Sequence, residues 1–572
     1  MSIEFYYMFI IQGDFMNYFK EAIKKKIEQK YSEIDVVFSV TPDVETGHIS
    51  IPCFAFSRVF RRSPGDIALE LSTIINELDF IDKTEVKGGY LNCFIEKEQL
   101  FKNVIEDVLE RKEHYGSSES GNGKSVLIEH TSINPNASPH VGRARNAMVG
   151  DTIVRLLKFE GYNVEVHYFV NDIGKQIAML LLGSRDKINI TFKDLLDIYV
   201  DFNNQLKENP AIEDEVFEML YQLENGNKDV RDEFRKLVQI CIDGQTAIFK
   251  KLGIEYDVFD YESDYLFNER LNEVIEAFKG TGYLEEDEDG RYVLNQAKYD
   301  LATKSPYLVL TRKDKTSLYP LRDIAYTIDK INKDKDKNII ILGEDQKLYH
   351  KQIEAALDVL GYKAPEPVHY SFVLLAEGKM ATRSGTVVLL EDFMEEALEK
   401  AKSEIMKRRE EVDDETAKAI AYGAVKYSIL KTSNDKNVTF DWESALSFEG
   451  DSGPYLQYSF ARIKSIERKM SNVIFDKVEY ELLEAVEELE LIIEISKMQD
   501  VTQTAMNHLS PHIVATYLFS VTQKFSKFYH NHSVLNAASN DLMVARYNLV
   551  LAVKQVISNC FLVLGIDEIE QM

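Results

Sequence analysis

The stretch IEHTSINPNASPHVGRARNAMVGD, residues 128–151, decides how the rest of the chain is read. It begins in the apolar run Val126–His130, which has the length and composition of a short buried strand. A loop with two prolines follows, and from His140 the spacing of Val149, Ile153, Leu156 and Leu157 predicts a helix to about Glu160. Gly161 is placed to end that helix, and Val164–Val170 reads as a second strand. Strand, helix and strand within about 45 residues make a βαβ unit and imply a parallel sheet. Pro139 suits a first helical turn because its φ is already fixed. His140 and Gly142 then fall at a helix N-terminus, where backbone N–H groups and the helix dipole favour phosphate. Alone, a histidine near a helix start is most often a cap. Its position after a strand, at the edge of a parallel sheet where ligands bind, gives it weight.

Working outward, residues 16–118 read as a small α+β unit: helical MNYFKEAIKKKIEQKY, short strand-like pieces, a helix from Pro64 to Leu78, and a strand near Tyr90–Ile95. The Gly/Ser-rich GSSESGNGKS is a linker. Its GNGKS, residues 121–125, imitates the end of a P-loop, but Ser118 stands where the first glycine belongs, and the motif precedes a strand instead of leaving one. Residues from about 175 to 300 read as a helical insertion with an Asp289-Gly290 turn. Parallel-strand character returns at Asn338–Leu342, and a charged helix from about Glu391 leads into a nearly all-helical C-terminal third. The expected class is α/β: a Rossmann-type parallel-sheet domain over 119–395 carrying that insertion, a small N-terminal α+β domain, a helical stem over 396–445, and an all-helical domain over 446–572.

With 572 residues, the chain exceeds one hydrophobic core. Its four cysteines lie far apart without CxxC or a histidine cluster, so neither a disulfide framework nor a metal site is expected, and a reducing cytoplasm is. No uninterrupted apolar run reaches the roughly 18 residues of a membrane span. The apolar patch Phe5–Ile11 has no preceding Lys or Arg, which speaks against a signal peptide; residues 1–15 read as an extension, with Met16 opening an amphipathic helix. A net charge of −28 does not exclude nucleic acid, because counterion release depends on local cations such as Arg58, Arg61 and Arg62, or Arg462, Lys464, Arg468 and Lys469. Such runs are also common on plain solvated faces.

His140-Val141-Gly142-Arg143 resembles the HIGH signature of class I aminoacyl-tRNA synthetases. The neighbours Glu129–Pro135, Ala144–Ala147 and Asn171–Gln176 narrow the resemblance to the arginyl-tRNA synthetases. Lys379–Gly385, KMATRSG, resembles that family's second signature loop, GGYLNCF (88–94) its N-terminal tRNA-binding domain, and Asp451–Tyr458 the start of its anticodon-binding domain. The resemblance implies activation of arginine by ATP, with Mg2+ accompanying the ATP, and transfer to tRNA(Arg), by a monomer with no membrane association. It implies catalytic roles for His140, Gly142, Arg143, Lys379 and Arg383, and ATP contacts from Pro139, His140, Gly142, Met380, Thr382 and Ser384. It further implies arginine contacts from Glu129, Asn134, Tyr319, Asp323 and Gln346, and tRNA contacts from Tyr90, Asn92, Tyr529 and Met572. The chemistry agrees: a guanidinium is best held by carboxylates in bidentate geometry. Taken singly, Glu129 is equally a surface acid at a strand end and Asp323 a partner of Arg322.

Two positions depart from the family pattern. Arg143 replaces the last histidine of the first signature, and Thr382 stands where the second has its catalytic lysine, leaving Lys379 or Arg383 to supply that charge. These changes leave open a non-catalytic, tRNA-binding relative; another class I synthetase is the alternative among enzymes. Activation is expected to require bound tRNA.

Overall fold

The structure, a computed structural model, describes residues 15–39, 41, 43–266, 269–375, 388–407, 411, 413–471 and 477–571. Helix α1 (Phe15–Glu28) buries Phe19, Ile23 and Ile27, one apolar stripe at helical spacing. Strand β1 (Ile49–Pro52) follows. Helix α2 (Pro64–Ile75) starts where Ser63 accepts a hydrogen bond from the Asp66 N–H at 3.1 Å and proline occupies the first turn. Strands β2 (Ile81–Lys87) and β3 (Tyr90–Ile95) are joined by Gly88 and Gly89 at φ 58° and 89°, a two-residue hairpin that other residues adopt only under strain. The antiparallel order is β1-β3-β2, and α3 (Lys97–Arg111) follows.

Strand β4 (Ser125–Glu129), helix α4 (Val141–Phe159) and strand β5 (Asn163–Val170) form the βαβ unit, with Gly161 at φ 85° closing the helix. Four helices follow: α5 (Lys175–Ser184), α6 (Asp194–Glu208), α7 (Ile212–Glu224) and α8 (Lys228–Lys251). They share a core in which Leu180, Leu223, Phe234 and Ile242 pack with Tyr168 and Val170 of β5. The mostly helical insertion expected over about 175–300 includes one strand of the main sheet. Strand β6 (Val258–Tyr261) returns to the main sheet beside β5 before α9 (Arg270–Lys279) and a small antiparallel sheet of β7 (Leu284–Glu286), β8 (Tyr292–Asn295) and β9 (Tyr307–Val309). Its sequence, VFDY, is a half-buried edge strand of four residues and too short to show a period.

Helix α10 (Tyr319–Ile331), strand β10 (Lys337–Gly343), helix α11 (Lys347–Val359) and strand β11 (Glu366–Tyr370) complete a five-stranded parallel sheet of order β11-β10-β4-β5-β6. The chain moves outward from β4 in one direction, then returns to β10 and moves outward in the other. The strand order therefore reverses between β4 and β10, the place where open α/β sheets bind ligands. Strand β12 (Val373–Leu375), helices α12 (Leu390–Met406) and α13 (Asp414–Leu430) and strand β13 (Val438–Phe440) follow, with β12 and β13 paired in parallel.

The remaining helices are α14 (Gly453–Met470), α15 (Val486–Ile495), α16 (Met498–Asn507), α17 (His512–Asn531) and α18 (Asn540–Leu564). Contacts divide the chain into two compact units, Met1–Ser118 with Ser447–His508 and Ile513–Met572, and Glu119–Leu446 with Leu509–His512. Within the first unit the Asn559 amide donates to the carbonyls of Lys112 at 2.9 Å and Tyr115 at 2.8 Å, and the Tyr115 hydroxyl donates to the Ile495 carbonyl at 3.1 Å. Helix α18 is long and apolar enough to cross a membrane, although its apolar run is interrupted and the sequence does not announce it as a span. Its Val544, Leu549, Val553, Ile557 and Phe561 are all buried inside the unit.

Candidate active site

A cavity of about 800 Å3 opens at the carboxyl ends of β4 and β10. Its first wall is the turn after Glu129, where Thr131 and Ser132 take left-handed φ of 74° and 43°. Such backbone costs on the order of 1–3 kcal/mol per residue and persists only where neighbours enforce it. Asn146 of α4 does so. Its Oδ1 accepts from the Thr131 N–H at 2.5 Å, and its Nδ2 donates to the Ile341 carbonyl of β10 at 3.0 Å. The Thr131 hydroxyl lies 2.8 Å from both His130 Nδ1 and the Tyr256 hydroxyl.

His140 is the N-cap of α4 in extended conformation, and its side chain lines the cavity without capping the helix. Burial, then Arg143, lowers its pKa and keeps the imidazole neutral, and its buried Nδ1 has no hydrogen-bond partner among the described residues. The helix end is less free than the sequence implies. The Val141 N–H donates to the Val388 carbonyl at 3.1 Å, and the Leu390 N–H donates to the Pro139 carbonyl at 2.7 Å. Anion contact at this end therefore falls to the remaining first-turn groups and to the side chains of His140 and Arg143.

The opposite wall is acidic. Glu129 is buried, which removes its reading as a surface acid; its Oε2 accepts from the ammonium of the equally buried Lys330, and its Oε1 lies 3.3 Å from the Ser132 hydroxyl. Arg322 pairs with Glu262 at 2.6 Å and donates to the Ser317 carbonyl at 2.8 Å, so it is not the partner of Asp323. Asp323 Oδ2 instead accepts from the Tyr349 hydroxyl. Burial, with Glu262 and Glu129 adding to it against the Tyr349 hydrogen bond, raises the Asp323 pKa to about 7. Tyr319 stands at the rim with its ring 5.2 Å from that of Tyr349. Tyr326, below, donates to Asp260 at 3.0 Å, and Asp260 lies 2.5 Å from Nδ1 of the buried His167.

The cavity thus gathers Glu129, Asn134, His140 and Arg143 from one segment and Tyr319, Asp323 and Gln346 from another far along the chain. Among the described residues the side-chain amides of Asn134 and Gln346 hold only long contacts, to Gln176 at 3.4 Å and Asp345 at 3.3 Å, which leaves both open to a ligand. Pro139 and Gly142 flank His140 along the chain without lining the cavity. Lys379, Met380, Thr382, Arg383 and Ser384 lie outside the described residues, as does Met572. Sequence reading missed Glu262, Tyr326, Lys330, Tyr349 and His350, all of which line the cavity. For α10 a signal existed: positions 323, 326, 327 and 330 form one polar stripe at helical spacing on a helix that is otherwise buried.

In the other unit, Tyr90 is 40 % exposed and its ring meets Phe54 at 5.2 Å. Asn92 is largely buried, with its Oδ1 accepting from the Ser50 hydroxyl at 2.7 Å. Tyr529 is half-exposed, with the Arg462 guanidinium 5.5 Å from its ring and 4.3 Å from that of Tyr458. Lys464 and Arg468 are partly neutralised by Glu570. Among the described residues no group of three His, Cys, Asp or Glu is placed to hold a metal ion.

Three family models match the chain: "tRNA synthetases class I (R), catalytic domain" over 104–442, "DALR anticodon binding domain" over 456–572, and "Arginyl tRNA synthetase N terminal domain" over 14–95. The chain is 34% identical to the arginine–tRNA ligase of Methanocaldococcus jannaschii, over 97% of this chain and 99% of the relative. It is also 34% identical to that of Clostridium perfringens, over 98% and 100%. Among solved structures, the arginyl-tRNA synthetase of Thermus thermophilus superposes with a TM-score of 0.81 at 25% identity, covering 96% of this chain and 99% of that one.

Proposed function

The chain belongs to the arginyl-tRNA synthetase family, and from that premise we propose how its cavity works. The protein is an arginine–tRNA ligase, using ATP to join arginine to tRNA. In the first step the carboxylate of arginine attacks the α-phosphate of ATP, forming arginyl-adenylate and releasing pyrophosphate. In the second, a hydroxyl of the tRNA terminal ribose attacks the adenylate carbonyl and AMP leaves. Neither step needs a covalent enzyme intermediate; positioning and charge stabilisation carry both.

In this reading ATP lies against the start of α4, with neutral His140 donating to the phosphates and Arg143 supplying charge at the rim. Lys379 or Arg383 adds the cation that Thr382 cannot, and Pro139, Gly142, Met380 and Ser384 complete the ATP contacts. Mg2+ is assigned only to the phosphates of ATP. Asn134 and Gln346 hold the α-amino and carboxylate end of arginine, while Glu129, Asp323 and Tyr319 take the guanidinium. Tyr90 and Tyr529 offer exposed rings to unpaired bases of tRNA, with Met572 beside the anticodon. A cytoplasmic monomer without membrane association completes the proposal.

One observation carries the assignment of roles: the acidic wall and the His140 helix end open into the same cavity. Arginylation of purified tRNA tests it. Glu129→Ala and Asp323→Ala are each expected to lose at least about tenfold in kcat/KM for arginine, with the ATP KM held; unchanged values reject the guanidinium site. Activation is proposed to depend on tRNA, so arginine-dependent ATP–pyrophosphate exchange is expected only when tRNA is present. Equal rates with and without tRNA reject that dependence.

A further inference from the structure

Three acids that line the cavity each have one oxygen already committed to a protein donor. Glu129 Oε2 is held by Lys330, Asp323 Oδ2 by Tyr349, and Glu262 Oε1 by Arg322 at 2.6 Å. Lys330 is the unexpected member. It is only 2 % exposed, it is a turn or two from Asp323 on the same face of α10, and its ammonium sits 4.4 Å from the Tyr326 ring centre. Tyr326 in turn is stacked on Phe169 at 4.5 Å and tied to Asp260. A buried ammonium in a site for a cationic substrate is costly unless it does something there, because removing two charges from water is repaid only by good geometry.

Resting on the assignment of this wall to the guanidinium, we propose that Lys330 is a positioning residue that sets the charge of the arginine site. It neutralises Glu129 and turns the Oε1 of that residue toward the substrate, so that the wall accepts one positive charge and not two.

The charge count supports this. Four carboxylates, Glu129, Glu262, Asp323 and Asp345, and two cations, Lys330 and Arg143, line the cavity, and Arg322 pairs with Glu262, so four negative charges stand against three positive ones and one is left; with Glu129 and Glu262 held in ion pairs, it falls on Asp323 within this wall. Tyr349 and His350 on α11, and Tyr319 and Tyr326 on α10, also line this wall. Burial, with His369 on β11 and Lys330 adding to it, lowers the His350 pKa to about 4. Without Lys330, two adjacent uncompensated acids share one proton and titrate as a pair, one of them well above the ordinary carboxylate range. The guanidinium, planar with nitrogens on separate edges, is then read by one oxygen from each acid, from different directions, in place of one bidentate fork.

The test is the pH dependence of arginylation by the intact enzyme, saturated with ATP and tRNA. In Lys330→Met, the acid limb of kcat/KM for arginine is expected to move up by about one pH unit or more. At pH 6.5 the value should fall at least about tenfold and approach that of the parent near pH 9, with kcat and the ATP KM within about threefold. Lys330→Arg is expected to keep the parental limb. A limb at the same pH in Lys330→Met as in the parent overturns the proposal and makes the lysine a packing residue. Should Lys330→Met not fold, calorimetry of arginine binding to the unaltered protein in buffers of different ionisation enthalpy decides. About one proton released near pH 6 and none at pH 8.5 supports the charge count, while none or two near pH 6 overturns it. The underlying reading fails separately: if Asp323→Asn leaves the arginine KM unchanged, the wall is not the guanidinium site, whatever the limb does.

Discussion

At the scale of single residues, the decisive group is Asp323. Burial, reinforced by Glu262 and Glu129, lifts its pKa to about 7. A protonated acid cannot balance a guanidinium, so arginine must find the ionised form or displace the proton. The sign follows directly: kcat/KM for arginine should be level above pH 7 and fall about tenfold per pH unit below it, while kcat/KM for ATP does not follow that limb. Asp323→Asn is expected to flatten the limb and lower kcat/KM for arginine at least about tenfold at pH 7.5, measured as initial rates of arginylation. Asp323 was recognisable in the sequence only through the resemblance of YPLRD, because composition and period describe it equally well as half of an ion pair with Arg322. The structure gives Arg322 to Glu262, a residue 60 positions away, and no local pattern announces a partner at that distance. Lys330 was hidden for a similar reason. A lysine near a helix end reads as a solvated cation, and only the fold brings Glu129, 201 positions away in sequence, to meet it.

At the scale of elements, legibility tracked length. Helix α4 and strand β5 were bounded within a residue or two because their apolar spacing runs over several turns or alternations, with glycine at the join. Strand β6 escaped because four half-buried residues carry no period. The left-handed pair Thr131–Ser132 escaped too, since neither residue advertises that backbone, and only Asn146 reaching back from α4 explains it. Helix α4 comes close to this turn at one point. A Cβ on Gly150 would lie 2.4–2.9 Å from the His130 ring, and His130 is fully enclosed and bonded to Thr131. Gly150→Ala is therefore expected to push β4 and α4 apart and cost about 1–3 kcal/mol, read as a lower urea midpoint. Because the displaced ring supports the turn after Glu129, the arginine KM should rise together with the loss of stability. A variant of parental stability would mean that the ring has room to move, and the close approach would then not be what selects glycine.

At the scale of the whole molecule, the order of domains along the chain is not the order of folding units. The sequence divides at the linker and again near residue 446, into an N-terminal and a C-terminal domain that lie far apart along the chain. In the structure those two ends form one compact unit. The reason lies in residues that no one-dimensional pattern connects: Asn559 of α18 holds the carbonyls at 112 and 115, the Thr502 hydroxyl bonds to the Gly116 carbonyl, and Met498 fills the space where a side chain at Gly116 would go. Helix α18 looks like a membrane span by composition for the same reason, since much of its surface is packed within this unit. A fragment spanning 447–572 should then expose that apolar surface and fail to unfold cooperatively when made alone. Supplied with residues 15–118 as a second chain, it should recover a single sharp thermal transition and helical circular dichroism. If the fragment alone already shows a cooperative transition at the temperature of the pair, the N-terminal segment contributes only a docked module, and a joint core is not what stabilises the helices.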